Sequence, residues 1–151
     1  MKKVLAVIIF SVILVCSLQN EAQAQTEGYE IGLRFANGND IAFDFAMPLG
    51  ANRLHANVNF FKGGIGVAGI YDWQFPFAEG FMFYPGIGAS ISIFDNPLGG
   101  TDLGLAIGGE VGVEYQFDFP LTLGLDYQPM FDILNNGGYA DGWGLNARWR
   151  F

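Results

Sequence analysis

The stretch "LGLAIGGEVGVEYQFDF", residues 103–119, decides how this chain folds. Leu103, Leu105, Ile107, Val111, Val113, Tyr115, Phe117 and Phe119 occupy its odd positions, broken only by Gly109. Gly104, Ala106, Gly108, Glu110, Gly112, Glu114, Gln116 and Asp118 occupy the even ones. A period of two puts these sets on opposite faces of a β-strand, and no helical period competes with it. Its 17 residues exceed the usual strand of a soluble domain, about 3–10 residues.

The same alternation recurs in both directions along the chain. Ile31, Leu33 and Phe35 oppose Glu30, Gly32 and Arg34, and Leu121, Leu123, Leu125 and Tyr127 oppose Thr122, Gly124, Asp126 and Gln128. The pattern and its turn residues predict strands over 28–36, 40–48, 52–62, 64–76, 80–94, 103–119, 121–133 and 142–151, an even number. The connections alternate in character. "ANGND", "KGG", "DNPLGGTD" and "NNGGYADG" are polar and rich in Gly and Asn, whereas "MPLGA", "PFAEG" and "FDFPL" are short, apolar and Pro-containing. Consecutive antiparallel strands collect the first group at one end and the second at the other.

The N-terminus reads as a secretory signal. Lys2 and Lys3 precede the apolar run "VLAVIIFSVILVC", and small residues follow at Ala22 and Ala24, so the expected cut lies after Ala24. The competing reading is a lipoprotein signal acylated at Cys16, but Val15 stands where such signals carry a small residue. Residues 1–24 are therefore read as signal peptide and 25–151 as one domain. Removing Lys2, Lys3 and Glu21 leaves 5 basic against 14 acidic residues, a net of −9, which disfavours nucleic acid as a partner. The single Cys leaves with the signal, so the domain holds together without a disulfide. After the signal no apolar run is long enough for a membrane helix, so any span is made of strands.

Alternation does not say which face points inward, because soluble and membrane barrels share it. Bulk decides. An eight-stranded barrel is only just wide enough for side chains, and the large apolar face of eight strands would overfill it, whereas a Gly, Ala and Ser face with a few charges fits. Water-facing strands also favour Lys and Thr, yet Lys62 is the one Lys after the signal. Aromatics fall near both expected rims: Tyr29, Trp73, Phe75, Phe81, Phe83, Tyr115, Phe117, Phe119, Trp149 and Phe151 toward the short turns, and Phe35, Phe60, Phe131 and Trp143 toward the long loops. The alternative, a soluble periplasmic ligand-binding barrel, puts those aromatics in a core.

The chain closes on "GLNARWRF", in which Leu145, Ala147, Trp149 and Phe151 share a face. On these features residues 25–151 resemble the small eight-stranded outer-membrane barrels of Gram-negative bacteria, of the OmpX and OmpA transmembrane-domain kind. The resemblance implies an all-β, antiparallel up-and-down transmembrane barrel in the outer membrane, monomeric, with outer-membrane lipid around it. It also implies that Trp149 and Phe151 form the terminal signal read by the barrel-assembly machinery. Asn146 stands where that pattern often has Gly.

The inward face is expected to carry Glu30, Arg34, Asp44, Arg53, His55, Asp72, Glu110, Glu114, Asp126, Arg148 and Arg150. Buried charges must pair, so these residues read as a structural network across a plugged lumen, with Arg148 and Arg150 facing acids across the closure. The other alternative, a lipid-modifying outer-membrane enzyme, needs a Ser nucleophile and a His base. The only His is His55 and the only Ser residues after the signal are Ser90 and Ser92; counted from their turns, His55 and Ser90 lie roughly 20 Å apart at about 3.3 Å per residue, which excludes a dyad. No catalytic residue, cofactor or metal site is expected from the spacing of ligand-type residues, and the scattered loop acids Asp95, Asp102 and Asp141 read as solvated rather than as a divalent-ion site.

Overall fold

The computed structural model describes residues 28–37, 40–134, 139, 140 and 142–151; the expected signal peptide, 1–24, lies outside them. All regular structure among the described residues is strand: β1 Glu30–Ala36, β2 Asp40–Leu49, β3 Asn52–Phe61, β4 Gly64–Asp72, β5 Phe75–Ala78, β6 Phe81–Asp95, β7 Thr101–Gln116, β8 Leu121–Tyr127, β9 Met130–Asp132, β10 Tyr139–Ala140 and β11 Trp143–Arg150. These make eight staves. β4 and β5 pair with β6 in one register as far as Pro76, beyond which a bulge sets Ala78 opposite Phe81; β8 and β9 pair with β7 in an unbroken register, and β10 and β11 do so with β9 and β8.

The two interruptions inside predicted strands have a proline beside them. Trp73 donates its N–H to Pro85 O at 2.9 Å, but Pro85 has no N–H to return. Pro129 likewise lacks a donor, although its carbonyl still accepts from Gly109 N–H at 3.1 Å, so the stave continues in line. Within the expected connection "NNGGYADG", Tyr139 and Ala140 pair with β9 as β10, so the last stave starts earlier than 142. A further departure is at the end of β7. The strand stops at Gln116 rather than Phe119, because Phe117–Pro120 form the tight connection, in which Phe117 N–H reaches Leu121 O at 3.0 Å.

The sheet closes on itself through antiparallel pairing of β1 with β11 and of β6 with β7. Following the registers from Ile31 through Phe45, Ala56, Gly69, Ala89, Ile107 and Phe131 leads to Tyr139, whereas the direct neighbour of Ile31 across the closure is Trp149, ten residues farther along the same stave. A closed sheet needs such a stagger, which tilts the staves and sets the bore.

The bulky face points out. Ile107 and Val111 are 53% and 42% exposed, while Glu110 and Glu114 between and beside them are 4% and 2% exposed. Ile31, Leu33, Phe43, Phe45, Ile65, Val67, Ile87, Ile91, Leu123 and Leu125 extend the same exposed apolar surface around the barrel. Monomeric soluble domains rarely present so continuous a patch, and it suits the hydrocarbon of a bilayer. At the short-turn end a run of rings, Phe77, Phe81, Tyr115, Phe117 and Phe119, lies centroid to centroid at 5.8, 4.6, 4.7 and 5.0 Å. Trp149 is exposed in that end of the last stave, and Phe151 N–H bonds Tyr29 O at 2.9 Å, tying the chain end to the first stave.

Inside, glycines are the reason the large polar chains fit. A Cβ on Gly112 would lie 2.3 Å from the Tyr84 ring, and one on Gly144 would lie 2.4 Å from Arg34 Nε. On the outer surface Gly69 has nothing within 4 Å of its Cβ position. Gly112→Ala should therefore destabilise the folded barrel by about 1–3 kcal/mol through overpacking, and Gly69→Ala should leave it nearly unchanged. Urea unfolding of both variants in detergent checks the contrast; equal effects would mean that the lumen is not close-packed at Tyr84.

Candidate functional site

The short-turn half of the interior is filled by charged side chains from seven of the eight staves. Arg148, near the end of β11, is wholly buried and touches three carboxylates. Its Nε donates to Glu30 Oε2 at 2.7 Å across the closure, its Nη1 to Asp44 Oδ2 at 3.1 Å, and its Nη2 to Glu114 Oε2. Arg53, on β3, enters from the other side. It donates from Nη1 to Glu114 at 2.8 Å and from Nε and Nη2 to Asp72 Oδ2 at 3.1 and 3.0 Å, with its guanidinium carbon 4.6 Å from the Tyr84 ring centre. Glu114 is thus held between two arginines from distant walls. Such charge-assisted bonds offset the cost of taking both charges out of water.

His55 sits beside this pair with both ring nitrogens engaged. Nε2 lies 2.5 Å from Asp44 Oδ1, and Nδ1 lies 2.9 Å from Glu110 Oε2 and 3.5 Å from Asp72 Oδ2. His55, Asp72 and Glu110 form the one grouping of three metal-ligand type among the described residues, their donor atoms all within 4.8 Å of one another. A third guanidinium, Arg34, pairs with Asp126 through Nε at 2.9 Å and through Nη2. Asn146 Nδ2 donates to the same carboxylate at 2.9 Å.

Ten of the eleven inward residues expected from the sequence meet in this network; Arg150 does not. Its neighbour across the closure, Glu30, is already held by Arg148 and by Thr122 Oγ1 at 3.0 Å. Arg150 turns instead to the rim, where Nη2 donates to the carbonyls of Phe117 and Phe119, the latter at 2.8 Å. Of the loop acids, Asp102 accepts from Asn96 Nδ2 at 2.9 Å, Asp95 belongs to no ligand grouping among the described residues, and Asp141 lies outside them.

The separation of His55 from Ser90 is shorter than turn counting predicts. The registers put Ser90 level with Asn57, only two residues from His55, so their backbones lie about 12 Å apart given about 4.8 Å per strand and 3.3 Å per residue. The count from the turns ignored the stagger. A dyad is still excluded, now because both nitrogens of His55 face carboxylates. Tyr84, Asn57, Thr122, Gln128 and Asn146, outside the charged set expected from the sequence, are also buried in or beside the network. Their even position in alternating stretches, or for Asn57 its odd one, was the available signal. The long-loop half of the interior is a cavity of about 410 Å³, lined by small or polar residues such as Ala36, Asn59, Gly66, Ser90, Ser92 and Ala106.

Arg148→Met should leave Glu30, Asp44 and Glu114 without their shared partner and destabilise the barrel by about 3–5 kcal/mol. Arg150→Met, at the wetter rim, should cost about 1 kcal/mol or less. Urea unfolding in detergent distinguishes them; an equal, small effect would mean that the interior is solvated enough to release its charges.

No protein-family model matches the sequence, and no curated protein does. Two solved structures resemble the fold. The crystal structure of Neisserial surface protein A is 12% identical with a TM-score of 0.59, covering 82% of this chain and 94% of that one. The Yersinia pestis outer membrane protein Ail, in a phospholipid bilayer nanodisc, is 14% identical with a TM-score of 0.50, covering 83% and 100%. With the closed register and the apolar outer face, these likenesses give the chain the fold of a small eight-stranded outer-membrane β-barrel.

Proposed function

We propose that the protein is exported by residues 1–24, inserts as a monomer into the outer membrane and serves there as a structural or surface-interaction barrel. Its lumen is plugged and it carries no catalytic activity. The observation that supports this most is the bonded layer around Glu114, where Arg53 and Arg148 reach from opposite sides of a bore already narrow for eight strands. An ion crossing the barrel would have to break several buried charge-assisted bonds. The apolar, aromatic-rimmed exterior supports lipid as the surrounding medium, and Trp149 and Phe151 at the terminal edge suit capture by the assembly machinery. Any partner outside the cell meets the long connections, which are short enough to offer only a modest surface.

Two measurements on cells expressing the full chain test this reading. The protein should fractionate with the outer membrane and migrate differently in gels before and after boiling. Purified barrel in planar bilayers should show no steady conductance steps. Recovery in the soluble periplasm would contradict the membrane assignment, and regular unitary conductance from the wild-type barrel would contradict the plug.

A further inference from the structure

We infer that His55, Asp72 and Glu110 bind one divalent cation of zinc type inside the barrel, with Asp44 positioning the imidazole. The starting point is the pair of contacts on His55. In the tautomer with its hydrogen on Nε2, the ring donates to Asp44 Oδ1 at 2.5 Å and turns the Nδ1 lone pair toward Glu110 Oε2 at 2.9 Å. Two lone-pair carriers at that distance need a positive group between them, a proton or a metal ion. A carboxylate that holds the far nitrogen of a metal-bound histidine is a recurrent arrangement, because it fixes the tautomer and raises ligand basicity.

Three further observations favour the metal ion. Asp72 Oδ2, which also accepts from Arg53 Nε and Nη2, stands 3.5 Å from the same Nδ1, and the three donors surround a common point within about 2.4 Å of each, near zinc–nitrogen and zinc–oxygen lengths of about 2.0–2.2 Å. Asp72 Oδ1 is buried and has no hydrogen-bond partner. It projects into the space left by Gly86, where a Cβ would come within 2.2 Å of it; Gly86 stands between Asp72 on one neighbouring stave and Glu110 on the other, so the free oxygen is aimed toward the second carboxylate.

The third observation is charge. Among the described residues the buried set holds six carboxylates, Glu30, Asp44, Asp72, Glu110, Glu114 and Asp126, against the guanidiniums of Arg34, Arg53 and Arg148. A single proton on His55 leaves a larger uncompensated negative charge than a divalent ion does, and uncompensated buried charge is costly. One nitrogen with two carboxylates suits zinc, whereas calcium and magnesium take oxygen-only sets. Gln128, on the wall of the cavity in the long-loop half, donates to Glu110 Oε1 at 3.1 Å and so places the site against that cavity.

His55 is the sole histidine of the chain, so its ring nitrogens are an unambiguous probe. The full chain is expressed, the folded barrel is purified in detergent and stripped with chelator, and ZnCl₂ is added before nitrogen NMR of the imidazole and metal analysis. A second sample is refolded with ZnCl₂ present, so that slow access does not mask binding. The expected result is saturable movement of the Nδ1 resonance at one Zn²⁺ per barrel, unmoved by Ca²⁺ or Mg²⁺. Glu110→Gln and Asp72→Asn should each weaken binding at least tenfold and Asp44→Asn by about 10–100-fold, while Asp95→Asn and Asp102→Asn leave it unchanged. An Nδ1 resonance that Zn²⁺ does not move in either sample overturns the inference, whether or not the variants fold, and assigns the shared position to a proton. Zinc retained equally by Glu110→Gln and Asp72→Asn overturns it as well.

Discussion

The carboxylate of Glu114 lies between Arg53 and Arg148, guanidiniums that start from distant staves, and the rest of the interior is arranged around that bond. A ring of eight strands encloses little volume, and whatever enters it is cut off from bulk water. Ionised groups in that space have only each other as partners. Hence Arg148 binds three acids, Arg53 binds two, and Asp126 is shared by Arg34 and Asn146. The glycines follow from the same limit, since Gly112 leaves the slot for Tyr84 and Gly144 the slot for Arg34.

Filling the bore with polar groups fixes what the outside must be. Period two allows one face for each chemistry, so every stave that sends Glu, Asp or Arg inward sends Ile, Leu, Val or Phe outward. The interior is also divided along its length. The short-turn half holds the ion pairs, and the long-loop half, walled by Ala, Gly and Ser, holds the cavity. His55, Asp72 and Glu110 stand at the boundary between them, with Gln128 reaching both.

Much of this was legible before any coordinates. Residues 103–119 carry their period so cleanly that the strand and its two faces could be read directly, although it ends at Gln116 rather than Phe119; bulk gave the inward face, and ten of the eleven inward charges occupy the network. What could not be read was anything that depends on register between strands. The ten-residue stagger brings Ser90 closer to His55 than counting from turns suggests, and it sets Asp72, Gly86 and Glu110 side by side although they are scattered through the sequence. Arg150 has the right parity for the network but sits at the rim, where its guanidinium donates to the carbonyls of Phe117 and Phe119. Parity gives a side chain its face; its depth comes from the shear, which no single strand encodes.

The central claim is that the apolar face of the sheet meets lipid while the Glu-bearing face is sealed inside. Spin labels placed singly at residues 103–113 of the barrel in phospholipid vesicles test it most directly. Collision with dissolved oxygen should rise at Leu103, Leu105, Ile107, Val111 and Val113 and fall at the even positions between them, and a water-soluble relaxant should reach neither set near the middle of the stave. High access of the water-soluble relaxant at the odd positions would contradict the account, because it would mean that the bulky face is not in the bilayer.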